Sequence, residues 1–138
     1  MHVDHVGLSV ADLDAQIAWY RRAFGFEAVH PFEIAPVGLR GAFLLGPDGL
    51  AIELLERQGS VHHPPATTPP DALLNQGWAH VCFRVDDVDA VFERLIAAGA
   101  TAVSEPGPSP EPDVRFAFVT DPEGNFLELL DRAGAVTA

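Results

Sequence analysis

The chain has 138 residues, 48% of them hydrophobic and 20% charged, the balance of a globular domain and not of a disordered one. Twenty acidic residues against eight basic ones leave a formal net charge of −12, which argues against nucleic acid and anionic membrane surfaces as partners. All eight basic residues are Arg, so Schiff-base chemistry on a Lys is excluded, and the single Cys82 excludes an intrachain disulfide and a thiolate-cluster metal site.

In chain order, residues 3–10 are apolar and Val-rich, a strand pattern too short for a helix. Asp12 is placed to cap the helix that follows, with Leu13, Ile17, Tyr20 and Phe24 at helical spacing and Gly25 where a left-handed cap ends it. Strands are expected near 26–34, 39–46 and 50–57, the last two joined by the turn signal Pro47-Asp-Gly49. Residues 58–77, with Pro64, Pro65, Pro69 and Pro70, read as a linker. The grammar then repeats: a strand over 78–85, a helix capped by Asp87 and ended near Gly99, and strands near 101–105, 114–120 and 125–131. Pro122-Glu-Gly124 supplies the second hairpin turn, and Pro106–Pro112 reads as a stiff extended loop. No apolar run approaches the roughly 18–20 residues of a membrane span. Met1 leads straight into a strand-like pattern, so a soluble cytoplasmic protein is expected.

The repetition is one of sequence as well as pattern. His5–Ala15 aligns with His80–Ala90 with six of eleven residues identical, and Arg40–Arg57 aligns with Arg115–Arg132 with nine of eighteen identical. Both alignments carry the same offset of 75 residues. The expected architecture is α+β: a β-α-β-β-β module over 1–57, the Pro-rich linker over 58–77 and a second module over 78–138, together one two-module domain.

Strand alternation assigns faces. Val6, Leu8 and Val10, with Ile52 and Leu54, turn toward the helix of the first module; Val81, Phe83 and Val85, with Leu127 and Leu129, do so in the second. The opposite face then carries His5 and Glu53 in one copy, His80 and Glu128 in the other. If the two sheets meet along it, two imidazoles and two carboxylates converge, a donor set for a borderline divalent ion (Ni, Co, Zn, Fe or Mn). The carboxylates cancel the dication's charge, and four ligands leave octahedral positions open for water or substrate. The plainer alternative is a wet sheet face on which His and Glu are ordinary. Against it, Ala51, Leu55, Phe126 and Leu130 make the same face apolar, and ionised carboxylates among them need a counter-charge. Arg57, Arg84 and Arg132 lie on this face as candidate anchors for a substrate carboxylate, with an exposed strand-end role as the alternative for each. Trp78 shares the parity of His80, and it joins Phe126 as a candidate substrate contact. His62 and His63 look like a metal pair but fall in the linker. Cys82 reads as a small filler, since no base lies near it in sequence.

The paired modules, with His5 and His80 opening each first strand and Glu53 and Glu128 in each Gly-x-x-x-Glu-Leu strand, resemble the vicinal oxygen chelate superfamily. Its members include glyoxalases, methylmalonyl-CoA epimerases, extradiol dioxygenases, fosfomycin-resistance enzymes and bleomycin-binding proteins. The resemblance implies that two β-α-β-β-β modules form a curved mixed-sheet cup around a metal held at the positions of His5, Glu53, His80 and Glu128. It also implies a homodimer, with the cup built within one chain or from swapped modules, and a small-molecule substrate. A full His-Glu-His-Glu set is most similar to the glyoxalase branch, where the metal polarises an oxygen beside a C–H bond and a carboxylate shuttles the proton through an enediolate. That analogy casts Glu128 as the base and Glu53 as second base or ligand. Two alternatives use the same cup: antibiotic sequestration of the bleomycin-resistance type, and an Fe(II) extradiol-type dioxygenase that would need only His5, His80 and Glu128. The Arg and Asn that serve glutathione in bacterial glyoxalases are Ser9 and Arg57 here. The His-Pro-Lys of the epimerases is Asp121-Pro-Glu123, and their first Glu is typically Gln.

Overall fold

A computed structural model describes residues 3–61, 66–74 and 76–132. The chain divides into two compact units, Met1–His63 and Pro64–Ala138. The first contains β1 (Val6–Val10), α1 (Leu13–Phe24), β2 (Glu27–Ile34), a 3-10 turn (Ala35–Val37), β3 (Leu39–Leu45) and β4 (Ala51–Arg57). The second contains a short helix α2 (Pro69–Ala72), then β5 (Val81–Arg84), α3 (Val88–Ala97), β6 (Thr101–Pro108), β7 (Arg115–Thr120) and β8 (Phe126–Asp131). Each unit forms a four-stranded mixed sheet, ordered β1-β4-β3-β2 and β5-β8-β7-β6. The first strand of each runs parallel to the last, and the remaining pairs are antiparallel. The architecture is the α+β pair of β-α-β-β-β repeats expected from the sequence.

Local signals act as their chemistry requires. The Asp12 carboxylate accepts from Ala15 N–H at 2.9 Å and the Asp87 carboxylate from Ala90 N–H at 2.9 Å, each satisfying a first-turn donor. Gly25 caps α1 in the left-handed region at φ +73°. α3 is capped by Ala98, and Gly99 follows it at φ +99°, one residue past the cap, where such a glycine is favoured. Both hairpin turns rest on a left-handed glycine, Gly49 at φ +88° and Gly124 at φ +87°.

Three details differ from the sequence reading. The first strands begin at Val6 and Val81, later than residues 3 and 78, because their partners begin late: β4 starts at Ala51 and β8 at Phe126, directly after the turns. β6 runs on to Pro108, so Pro106–Pro108 are strand and not loop. It tolerates them because it is an edge strand whose register shifts between Ala102 and Ser104 and again before Gly107. The Pro-rich linker holds α2, started by prolines in its first turn and capped by the Thr68 hydroxyl, which accepts from Asp71 N–H. His62 and His63, read as linker residues, lie with Pro64 and Pro65 outside the described residues.

The two longer helices, α1 and α3, each lie on their own unit's sheet. Leu13, Trp19, Tyr20 and Ala23 of α1 are buried with Leu44, Ile52 and Leu54; Val88, Phe92 and Leu95 of α3 are buried with Ala117, Val119, Leu127 and Leu129. A repeated ion pair adds to this. Arg40 on β3 bonds Asp14 in the first turn of α1, and Arg115 on β7 bonds Asp89 in the first turn of α3. In the first unit Glu56 joins, accepting from Arg40 at 2.8 Å and from Leu13 N–H at 2.8 Å. The guanidinium first, and then that N–H, hold its carboxyl below the usual range.

The core of the first unit has one flaw. Gln16 is 1% exposed, yet neither end of its amide has a hydrogen-bond partner among the described residues, and neither has the indole N–H of buried Trp19. An unsatisfied buried polar group costs about 1–3 kcal/mol. Gln16→Met keeps length and helix propensity while removing both groups, so it is expected to stabilise the protein by about 1–2 kcal/mol in urea denaturation. A destabilised variant would mean that the amide finds partners outside this chain, in buried water or a second copy.

Candidate functional site

The parallel pairing of β1 with β4 sets Gly7 opposite Glu53, and that of β5 with β8 sets Cys82 opposite Glu128. His5 and His80 sit two residues earlier, on the same face by alternation. Each therefore leans over its glutamate. His5 Nε2 lies 3.5 Å from Glu53 Oε2, and His80 Nε2 lies 3.1 Å from Glu128 Oε2. The sequence placed each His with its Glu on one face, and within each unit the structure brings them together.

A third member completes each pair. Register sets Phe43 opposite Glu53 and Phe118 opposite Glu128. Their rings meet the imidazoles edge to face, at 5.1 Å and 87° for His5 and 5.3 Å and 89° for His80. Sequence reasoning passed over both phenylalanines, although the signal was present: they are identical across the 75-residue offset and share the parity of the glutamates. Both glutamates are mostly covered, with side chains 20% and 17% exposed.

The facing atoms carry the chemical information. The Asp4 carboxylate bonds His5 Nδ1 at 2.8 Å, and because a carboxylate can only accept, Nδ1 carries the proton. This bond is the first cause of the raised pKa of His5, with the Glu53 charge adding to it. In the neutral ring, Nε2 then presents a lone pair to a carboxylate oxygen. Two acceptors at that separation need a proton or a cation between them. Ala79 takes the place of Asp4 in the second unit, and there His80 Nε2, at 3.1 Å, either donates a proton to Glu128 Oε2 or shares a cation with it. The donor set, neutral imidazole nitrogen with carboxylate oxygen in an apolar surround, suits a borderline divalent ion. Each unit brings one such pair; among the described residues no group of three or more metal-capable side chains is gathered.

The remaining candidates divide. Phe126 is buried, its ring 6.4 Å from that of Phe118, so it backs the ring that supports His80. Trp78 is fully exposed and precedes β5, because the ladder starts at Val81. Arg57 and Arg84 are exposed strand-end residues with no ion pair among the described residues. Arg132 is well covered and bonded to Glu111. Cys82 is exposed, but nearby atoms desolvate its thiol, and with the Glu128 charge they push it up to about 12, leaving no thiolate for nucleophilic attack at neutral pH. Among the described residues no helix is long and apolar enough to cross a membrane.

Residues 2–129 match the family described as the Glyoxalase/Bleomycin resistance protein/Dioxygenase superfamily. A probable lactoylglutathione lyase of Vibrio cholerae is 31% identical over 134 residues, covering 95% of this chain and 91% of the relative. A lactoylglutathione lyase of Arabidopsis thaliana is 30% identical over 131 residues; there the match takes in 93% of this chain but only 43% of the longer plant protein. Among solved structures, a glyoxylase/bleomycin resistance protein/dioxygenase domain from Frankia sp. EAN1pec superposes with a TM-score of 0.78 at 25% identity, covering 96% of this chain and 98% of that one. With a family match over nearly its whole length, a duplicated fold and a His-Glu pair in each copy, the chain belongs to the glyoxalase/bleomycin resistance protein/dioxygenase superfamily.

Proposed function

We propose that the protein is a metal-dependent lyase or isomerase of the glyoxalase type, moving a proton next to the carbonyl of a small oxygenated substrate. The observation that carries this reading is the twofold construction of the His-Glu pair, with the same atoms facing each other and the same supporting ring in each unit. His5, Glu53, His80 and Glu128 are the proposed ligands of one divalent ion. The pairs come from one chain or from two copies in a homodimer. What such an ion supplies when bound is polarisation of a substrate oxygen beside the C–H bond to be broken.

The chain's own residues do the rest. His5, oriented through Nδ1 by Asp4, keeps the Nε2 lone pair available to a metal ion. Phe43 and Phe118 fix the ring planes and limit water around the carboxylates, which raises the value of each charge interaction. Glu128 Oε2 is the proposed acceptor of the substrate proton, which it returns to the neighbouring carbon, so the transfer is redox-neutral. Glu53 balances charge and serves as second base. Its construction matches that of Glu128, and this supports a four-donor set over the three-donor set of a ring-cleaving dioxygenase. The similarity to lactoylglutathione lyases favours a thiol adduct of an α-oxoaldehyde as substrate class.

Metal content of untagged protein tests the reading, with and without Glu53→Gln, alongside thioester formation from methylglyoxal and glutathione. One divalent ion per proposed site in the wild type, reduced in the variant, is the expected result. No stoichiometric metal in either sample overturns it. Tight binding of an aromatic antibiotic that survives chelation, without turnover, would point to the sequestering alternative.

A further inference from the structure

One cation on the ligand face of the second unit is already engaged. Alternation along β8 puts Phe126, Glu128, Leu130 and, just past the strand, Arg132 on one side. The Arg132 guanidinium grips Glu111 from the β6–β7 loop in a bidentate pair, Nε to Oε1 at 2.9 Å with a second contact from Nη2 to Oε2. The arginine side chain is 17% exposed, the glutamate 46%. The charge of Arg132 also reaches the Glu128 carboxylate and the Cys82 thiol.

This pair stands outside the duplicated framework. The ties from Arg40 to Asp14 and from Arg115 to Asp89 recur at the 75-residue offset and pin strand to helix. Arg57, the counterpart of Arg132, is exposed and makes no ion pair among the described residues, and the counterpart of Glu111 is Pro36. Unlike the two recurring ties, the Arg132 pair holds a loop and not a helix, and its arginine is more covered than Arg40 or Arg115, which are 46% and 44% exposed. The loop is also held at a cost, with Asp113 in the left-handed region at φ +58°. The planar fork of Arg132 fits a carboxylate two-to-two, and Glu111 demonstrates that fit.

We propose that Arg132 anchors a carboxylate of the substrate, and that Glu111 is an internal stand-in which the substrate displaces. This rests on the reading above, that Glu128 serves a proton transfer, and it narrows the substrate class to an α-oxo compound or thiol adduct carrying an acid group.

The test compares methylglyoxal adducts of mercaptoacetate, which carries a carboxylate, and 2-mercaptoethanol, which does not. In wild type the anionic adduct is expected to have a KM about tenfold or more below that of the neutral one, the order of a charge-assisted contact. In Arg132→Gln the ratio of the two collapses toward one, and Glu111→Gln lowers KM for the anionic adduct several-fold. Calorimetric titration with succinate against succinamide gives a readout that needs no turnover: wild type binds succinate, Glu111→Gln binds it more tightly and Arg132→Gln loses it. Equal KM values in wild type with no succinate binding overturn the anchor and leave the lyase reading intact. Succinate binding through Arg132 with neither adduct turned over keeps the anchor and removes the lyase. Both variants weakening both adducts alike would reduce the pair to a loop tether, overturning the proposal.

Discussion

Glu128→Gln, saturated with metal, is expected to lose about 10³-fold in kcat with KM changed by less than about threefold, within the 10²–10⁴ range of general acid–base catalysis. The amide keeps the shape of the side chain and one acceptor oxygen, so the register opposite Phe118 and the approach to His80 survive. What it loses is the capacity to take a proton. Glu53→Gln is expected to act on metal affinity first, since its partner His5 is already oriented by Asp4 and the pair then lacks a charge to offset the ion. Steady-state kinetics at saturating metal, with the metal dissociation constant measured separately, distinguishes the two roles. A Glu128→Gln enzyme within tenfold of wild-type kcat would remove Glu128 as the base, and a large kcat loss confined to Glu53→Gln would exchange the assignments.

How much of this was legible in the sequence follows from which contacts are local. Alternation placed His5 with Glu53 and His80 with Glu128, because period two is fixed by backbone geometry and needs no knowledge of neighbours. The helix caps at Asp12 and Asp87 were legible for the same reason, their partners lying three residues away. Trp78 shows the limit of parity: it alternates correctly with His80, but it lies three residues ahead of the ladder's first rung at Val81, whereas His80 directly adjoins it. The continuation of β6 through Pro106 and Pro108 was hidden because the tolerance of proline depends on the strand lying at a sheet edge, a property of topology. The grip of Arg132 on Glu111 was out of reach, since it joins a loop to a strand end across 21 residues and has no counterpart in the first repeat.

Asp121→Ala is expected to destabilise the protein by about 2–4 kcal/mol, the largest stability effect among substitutions near the site that leave the core side chains intact. Asp121 is 1% exposed and organises the turn between β7 and β8. Its Oδ1 accepts from the N–H groups of Glu123 and Asn125, both at 2.9 Å, and its Oδ2 accepts from the Asn125 amide at 2.8 Å. Alanine strands these donors in a largely covered turn, and each costs more left unmade than it contributes when paired. The corresponding turn of the first unit offers a control. Gly46 replaces Asp121 there, and the exposed Asp48 carboxylate makes a single longer bond to Leu50 N–H at 3.2 Å, so Asp48→Ala is expected to cost about 0.5 kcal/mol. Because Asn125 directly precedes the strand that carries Glu128, loosening this turn also frees the register that sets Glu128 opposite Phe118. Urea denaturation should show the midpoint fall with the slope unchanged. An Asp121→Ala protein within 1 kcal/mol of wild type would mean that the turn is held by its backbone bonds alone, from Asp121 N–H to Asn125 O and from Gly124 N–H to Asp121 O.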